Sequence, residues 1–175
     1  INIQNIITKL QPKDKTKPPT KFDLRINNVV IRESQASWDI LSAPIIDDKF
    51  DTNHIKISNW NADIHIPQLK NDDFIFNIKR FKVSERSGIV IDNLHGDFHI
   101  ASTGIKVSGL ELKLKNSNIA FSDITLSHNN WEEFNSKIKN IPLDISIKDG
   151  SYISLNDLAP FVPKLKNSND RFNIN

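Results

Sequence analysis

His95, Asp97 and His99 alternate along one stretch, so on a strand all three side chains point to the same side. Two imidazoles and a carboxylate could hold zinc or a similar cation. A solvated polar face produces the same alternation without any ligand, and zinc needs converging ligands with second-shell support. The solvated face is the preferred reading. His54 and His65 add no ligand set. Ser84-Glu85-Arg86-Ser87-Gly88 places a serine beside a carboxylate, but in a turn with no base to activate the hydroxyl. Asp72-Asp73 reads as the end of a turn rather than a paired acid and base. Ser102-Thr103-Gly104 lacks a phosphate-loop pattern. Cysteine is absent, which removes thiol catalysis, disulfides and thiolate metal sites. The sequence thus predicts no catalytic residues, no metal and no cofactor: not an enzyme.

The elements that would have to position such groups follow a six-residue pattern. An apolar residue, any residue and an apolar residue precede two polar residues and another apolar or small one. It reads Leu24-Arg25-Ile26-Asn27-Asn28-Val29, then Ile55-Lys56-Ile57-Ser58-Asn59-Trp60. Copies follow at Phe76 to Phe81, Ile89 to Leu94, Ile105 to Leu110 and Ile119 to Ile124, and a last one, Ile145 to Gly150, ends in glycine. Alternation on both sides of the polar pair predicts β-strands, and the pair predicts a bulge or bend within each. Asn-Asn, Asp-Asn and Ser-Gly also suit tight hairpin turns. However, stronger turn segments sit between the pairs, and Lys79-Arg80 is a poor tight turn. The long broken strand is preferred. Strands are expected near 22–32, 54–66, 73–84, 88–101, 104–115, 118–127 and 142–149, with 35–41 extending the first or pairing separately. The turns lie about midway between successive polar pairs. The breaks should therefore face one another as a transverse crease.

A bulge shifts the phase by one residue, so apolar residues on both sides of each break share a face. That face collects Ile55, Ile57, Trp60 and Ile64, then Phe76, Ile78 and Phe81, then Ile89, Ile91, Leu94 and Phe98. Ile105, Val107, Leu110 and Leu112 follow, with Ile119, Phe121 and Ile124. The other face carries Lys56, His65, Asn77, His95, Asp97, His99, Lys106 and Glu111 among others. An apolar wall needs a cover: a second sheet, closure into a barrel, or a lipid. Folding along the crease predicts a U-shaped trough, filled by its own side chains if narrow and binding something apolar if wide. The fold class is thus mainly β, a long antiparallel meander creased into an apolar β-groove, with a short N-terminal helix.

Organisation along the 175 residues follows from the same reading. Residues 1–10 carry Ile3, Ile6, Ile7 and Leu10 at helical spacing. Residues 11–20 are a charged, proline-rich linker, expected to be mobile. The sheet is assigned to 21–150. Residues 151–175 hold a helical turn near Ser154 to Ala159 and the start of another strand. Trp131, Phe134 and Ile138 suggest a further helical turn. Net charge is only +2, with both signs mixed and no basic run interleaved with aromatics, so nucleic acid is not expected. No segment has the roughly 20 apolar residues of a membrane span.

Several of these stretches resemble the amino-terminal part of TamB-like proteins (translocation and assembly module) of the AsmA superfamily, in their Bacteroidota form. Phe50-Asp51-Thr52-Asn53-His54-Ile55 is similar to that family's lead-in to a strand. Ser84-Glu85-Arg86-Ser87-Gly88 is similar to its Glu-Lys-Ser-Gly turn, with Arg86 in place of lysine. Ser151 to Leu158, followed by Phe161, Pro163 and Leu165, looks like its segment after the meander. Ile3 to Leu10, the linker and Phe22 to Ile31 match in order. The resemblance implies a Gram-negative periplasmic protein anchored in the inner membrane by a helix outside this sequence. It implies a trough carrying phospholipid or other acyl-chain cargo towards the outer membrane, and in some lineages an Omp85-type partner in outer-membrane protein assembly. It brings no catalytic residues. Seven or eight strands make only about 35 Å of trough at about 4.8 Å each, so the sequence reads as an excised fragment of a longer bridge.

Overall fold

The computed structural model describes residues 23–47 and 49–174. The expected N-terminal helix and linker lie outside these residues. Among the described residues, nine strands form one antiparallel sheet that does not close on itself: β1 (Asp23–Asp39), β2 (His54–Lys70), β3 (Asp73–Glu85), β4 (Val90–Ala101), β5 (Gly104–Leu114), β6 (Asn118–Ser127), β7 (Leu143–Ile147), β8 (Ser151–Ser154) and β9 (Arg171–Ile174). The order from β1 to β6 is that of the chain. β7 and β8 both pair with β6, and β9 pairs with β8. One short helix, α1 (Trp131–Lys137), lies in the connection between β6 and β7. Single 3-10 turns occupy Leu155–Leu158 and Pro163–Leu165.

The polar pairs fall inside strands, not at hairpin tips. Register breaks occur at Asn27-Asn28 in β1, at Ser58-Asn59 in β2 and at Lys79-Arg80 in β3. They recur at Asp92 in β4, across Gly109 in β5 and at Ser122 in β6. Lys148-Asp149 separates β7 from β8, so these two read as one strand interrupted beside β6. Three breaks use left-handed backbone: Glu33 (φ 42°), Asn59 (φ 52°) and Gly109 (φ 58°). Such a residue kinks a strand without ending it.

The facing of the breaks differs from the expected one. Lys79-Arg80 lies opposite His95, between the pairs Ile78↔Gly96 and Phe81↔Leu94, not opposite Asp92-Asn93. On β2 it meets Asp63 and Ile64, several residues from Ser58-Asn59. The reason is hairpin geometry. β2 and β3 run to Lys70 and Asp73, leaving only Asn71-Asp72 as the tip, and β4 and β5 leave only Ser102-Thr103. Moving a tip by one residue moves the facing position by two. From β3 to β7 the irregular positions still face one another, through His95-Gly96, Gly109-Leu110 and Phe121-Ser122.

β1 continues to Asp39, so residues 35–39 extend the first strand, one of the two expected alternatives. β2 runs on to Lys70, past its expected end at 66. Ser151–Ser154, assigned by sequence to a segment after the sheet, enters the sheet as β8. Ser151 anchors it: its buried hydroxyl donates to the Lys148 carbonyl at 2.7 Å and accepts the Ala120 amide at 3.1 Å.

Gly109→Ala is expected to cost about 1 kcal/mol, the penalty of a side chain in left-handed backbone, although no atom lies within 4 Å of the added methyl. Gly109→Asn should cost less, because Asn tolerates that conformation. Urea denaturation of the two variants checks the order, and equal losses would contradict a conformational origin.

Candidate functional site

Directly paired residues in an antiparallel ladder share a face, so the register shows what each side presents. One apolar row runs Leu24, Leu69, Phe74, Ile100, Ile105, Leu126 and Leu143, each the cross-strand partner of the next. A second runs Phe76, Phe98, Val107, Ile124 and Ile145. In it the Phe76 and Phe98 rings stack at 4.7 Å and 5°. Beyond the breaks a third runs Ile31, Ala62, Phe81, Leu94, Leu112 and Ile119. Gly96 sits between the second and third rows, where a Cβ would come within 3.1 Å of the Leu110 backbone. Leu110 therefore packs where Gly96 has no side chain.

The register thus gathers most of the sequence-predicted wall. Ile55 pairs with Trp38, Ile57 with Ala36, Trp60 with Ser34, Ile64 with Ile78, Ile91 with Val83 and Phe121 with Ile147. Ile89 lies in the β3–β4 turn, where its carbonyl accepts the Glu85 amide at 2.8 Å. Leu24, Leu69, Phe74, Leu126 and Leu143 complete the outermost row without having been singled out. Their signal was present: the alternation of Phe76 and Ile78 starts one step earlier, at Phe74.

The wall is not sealed. Among the described residues, the buried hydrophobic side chains are only Ala62, Val83, Val107 and Ala120. Every other wall residue named in the sequence reading is half-buried by its neighbours within the sheet. At the edge Leu143 is 54% exposed and Ile145 50%.

The opposite face is polar and paired across strands. His99 Nε2 meets Asp73 Oδ1 at 2.7 Å, and His95 Nε2 meets Glu111 Oε2 at 3.5 Å. Asp97 Oδ1 accepts from Asn77 Nδ2 at 2.6 Å. The three residues that could have formed a cation site each turn to a different partner, and no metal-ligating cluster of three or more occurs among the described residues. Lys148 joins Glu111 at 3.4 Å.

The motif segments converge at one end of the sheet. Asp51 is 3% exposed and accepts the Ile46 amide at 3.0 Å and the Asn53 amide at 2.9 Å. His54 Nδ1 lies 3.0 Å from its Oδ2 and Arg86 Nη2 3.9 Å. Arg86 also donates to the Ile46 carbonyl, while its own amide reaches the Lys56 carbonyl at 2.9 Å. Glu85 closes the turn by accepting the Ser87 amide at 2.7 Å and the Ser87 hydroxyl. The Phe50 amide donates to the Pro160 carbonyl at 2.6 Å, and the Phe50 and Phe161 rings sit 5.7 Å apart. Asp157 accepts from the Asn116 amide, Asn116 Nδ2 and Ser117 Oγ at 2.6–2.9 Å. A cleft of about 380 Å³ remains there, lined by Gly88, Lys115, Asn156, Pro160 and Lys166 among others.

Comparison with protein-family models, with curated proteins and with solved structures returned no match. No helix among the described residues is long and apolar enough to cross a membrane.

The Ile46 amide, helped by the Asn53 amide and by His54, holds the Asp51 carboxyl below its ordinary 3.8. A depressed carboxylate contributes stability that is fully present above its unfolded value and is lost as pH falls through the folded one. Asp51→Asn should therefore lower stability at neutral pH and flatten its decline on acidification. Thermal melts of both proteins from neutral pH down through the carboxylate range test this, and parallel curves would exclude Asp51 as a contributor.

Proposed function

We propose that this chain is a segment of a TamB-like, bridge-forming protein of the periplasm, anchored to the inner membrane in its full-length form, which carries phospholipid towards the outer membrane along an apolar groove. It acts by binding and not by catalysis. The observation that supports this most is the apolar wall: rows of five to seven aliphatic and aromatic side chains run unbroken across successive strands, and apart from Ala62 and Val107 they are not fully buried. A filled core would seal most of them. An acyl chain laid on such a wall gains about 0.8 kcal/mol per CH₂ withdrawn from water. No charged side chain interrupts the rows, so the wall offers no fixed point to a head group, and cargo slides rather than stops. Head groups stay at the rim in water.

A second reading draws on the sheet's edge. Among the described residues β7 pairs only with β6, and no described strand lies on its outer side beside exposed Leu143 and Ile145. An incoming strand of a client or an Omp85-type partner would add there by backbone pairing, and the protein would serve as an assembly scaffold.

Photo-crosslinkers at Ile91 and His95 separate the two. Ile91 belongs to the apolar wall and His95 to the polar face. In the lipid reading Ile91 labels lipid and His95 does not. Equal labelling, or none at either position in folded protein, overturns it and favours the edge. A charge at Leu94 would have to be desolvated beside an acyl chain, so Leu94→Asp should weaken acyl-chain binding at least several-fold while the half-exposed site keeps the fold intact. Displacement of a fluorescent fatty acid measures it.

A further inference from the structure

Trp60 is one member of the apolar wall that carries a polar atom. It follows Asn59, whose left-handed backbone returns the chain to the apolar side after the Ser58-Asn59 break, and its cross-strand partner is Ser34. Its indole Nε1–H is shut off from water and has no hydrogen-bond partner among the described residues. The Ser34 hydroxyl, the nearest candidate by register, donates to the Arg32 carbonyl at 3.0 Å and makes no hydrogen bond to the indole. A buried donor without an acceptor is destabilising, whereas phenylalanine has a similar flat shape with no donor to satisfy. The indole therefore stands out against a wall otherwise made of side chains with nothing to satisfy.

Hydrocarbon cannot pair with this N–H, and no carbonyl among the described residues accepts it. An acyl chain joined through an ester brings both the apolar length that fits the wall and a carbonyl oxygen that accepts from an indole. We infer that Trp60 is a specificity-determining residue that receives the ester carbonyl of a glycerolipid beside the strand break, the side chains covering Nε1 shifting as the lipid enters. The inference rests on the lipid reading above and deepens it: the cargo is recognised as an ester, not as bare hydrocarbon. The tails extend along the rows on either side, and the head group remains towards water.

Trp60→Phe keeps the ring in the wall and removes the donor. Two signatures of opposite sign are expected from it. The empty variant should be at least as stable as the parent in thermal melts, because an unsatisfied group is gone. Its ability to tell an ester from an ether should be lost. The measurement is displacement of a bound fluorescent fatty acid by dihexanoyl phosphatidylcholine and by its dihexyl ether analogue, both below their micelle-forming concentrations. The parent protein should prefer the ester about 5- to 10-fold, the ratio that one net hydrogen bond supplies. Trp60→Phe should bind the two equally. Equal binding of ester and ether by the parent, or an unchanged preference in Trp60→Phe, would overturn the assignment to Trp60 while leaving a lipid groove in place. Failure of either lipid to displace the probe from the folded parent would remove the lipid reading itself, and this inference with it.

Discussion

Parity is the constraint on which this sheet depends. Side chains alternate along a strand, so an irregularity that adds one residue throws everything beyond it onto the other face. The chain meets this by moving its apolar residues by one position at the same place. Ile78 and Phe81 are an odd number apart, as are Ile91 and Leu94, Val107 and Leu110, and Phe121 and Ile124. Each jump coincides with a register break or a left-handed residue. A bend without the jump would put leucines in water. The jump without a bend would do the same. Both together give one apolar face that crosses the breaks, and the rows built on Ile100 and on Leu94 lie on either side of them.

Such a face stabilises the sheet in an unusual way for a chain of this length. With few side chains fully buried, cohesion comes chiefly from ladder hydrogen bonds and from neighbours along each cross-strand row. The stacked phenylalanines at positions 76 and 98 and the leucine over Gly96 are local examples. Interior strands gain such contacts on both sides, whereas β7 gains them on one, which is why Leu143 and Ile145 are the more exposed ends of their rows. The apolar area left uncovered represents burial that a ligand or a further strand would complete. The proposed function would therefore draw on the same side chains as stability.

Much of this was legible from sequence, and the errors have one cause. Strand positions follow from alternation and turn residues, and the breaks follow from the polar pairs. Facing was misjudged because it depends on the hairpin tip. Pro67 to Asp72 looks like a six-residue turn, yet β2 continues through Pro67 and turns at Asn71-Asp72. Proline sits in this strand at an irregular stretch of the β2–β3 ladder, between His65 and Gln68, where a missing amide is tolerated. Of the outermost row, Ile105 was placed on the apolar wall from sequence, but Phe74 was not, because a six-residue window starting at Phe76 omits it. Burial of Asp51 was not readable. Nothing in Phe50-Asp51-Thr52-Asn53 distinguishes a carboxylate that caps a loop from one in solvent until Ile46, His54 and Arg86 are brought round it.

That convergence bears on how a single open sheet keeps its shape. A sheet with an uncovered face has no second layer to fix its curvature, so its strand ends must be held by other means. Here four connecting segments do so at one end. The loop before β2 is held on Asp51, the β3–β4 turn reaches it through Arg86, and the segment after β8 is joined to it by Phe50, Pro160 and Phe161. Asp157 ties the β5–β6 turn to that same segment. Strands β2 to β6 and β8 are thereby joined at their tips by polar contacts that leave the apolar face untouched. A covering helix would have supplied the same rigidity at the cost of occupying the wall. The buried carboxylate at one end and the partly buried hydrocarbon along the face are thus separate features: the contacts that tie the strand ends together make no use of the apolar rows.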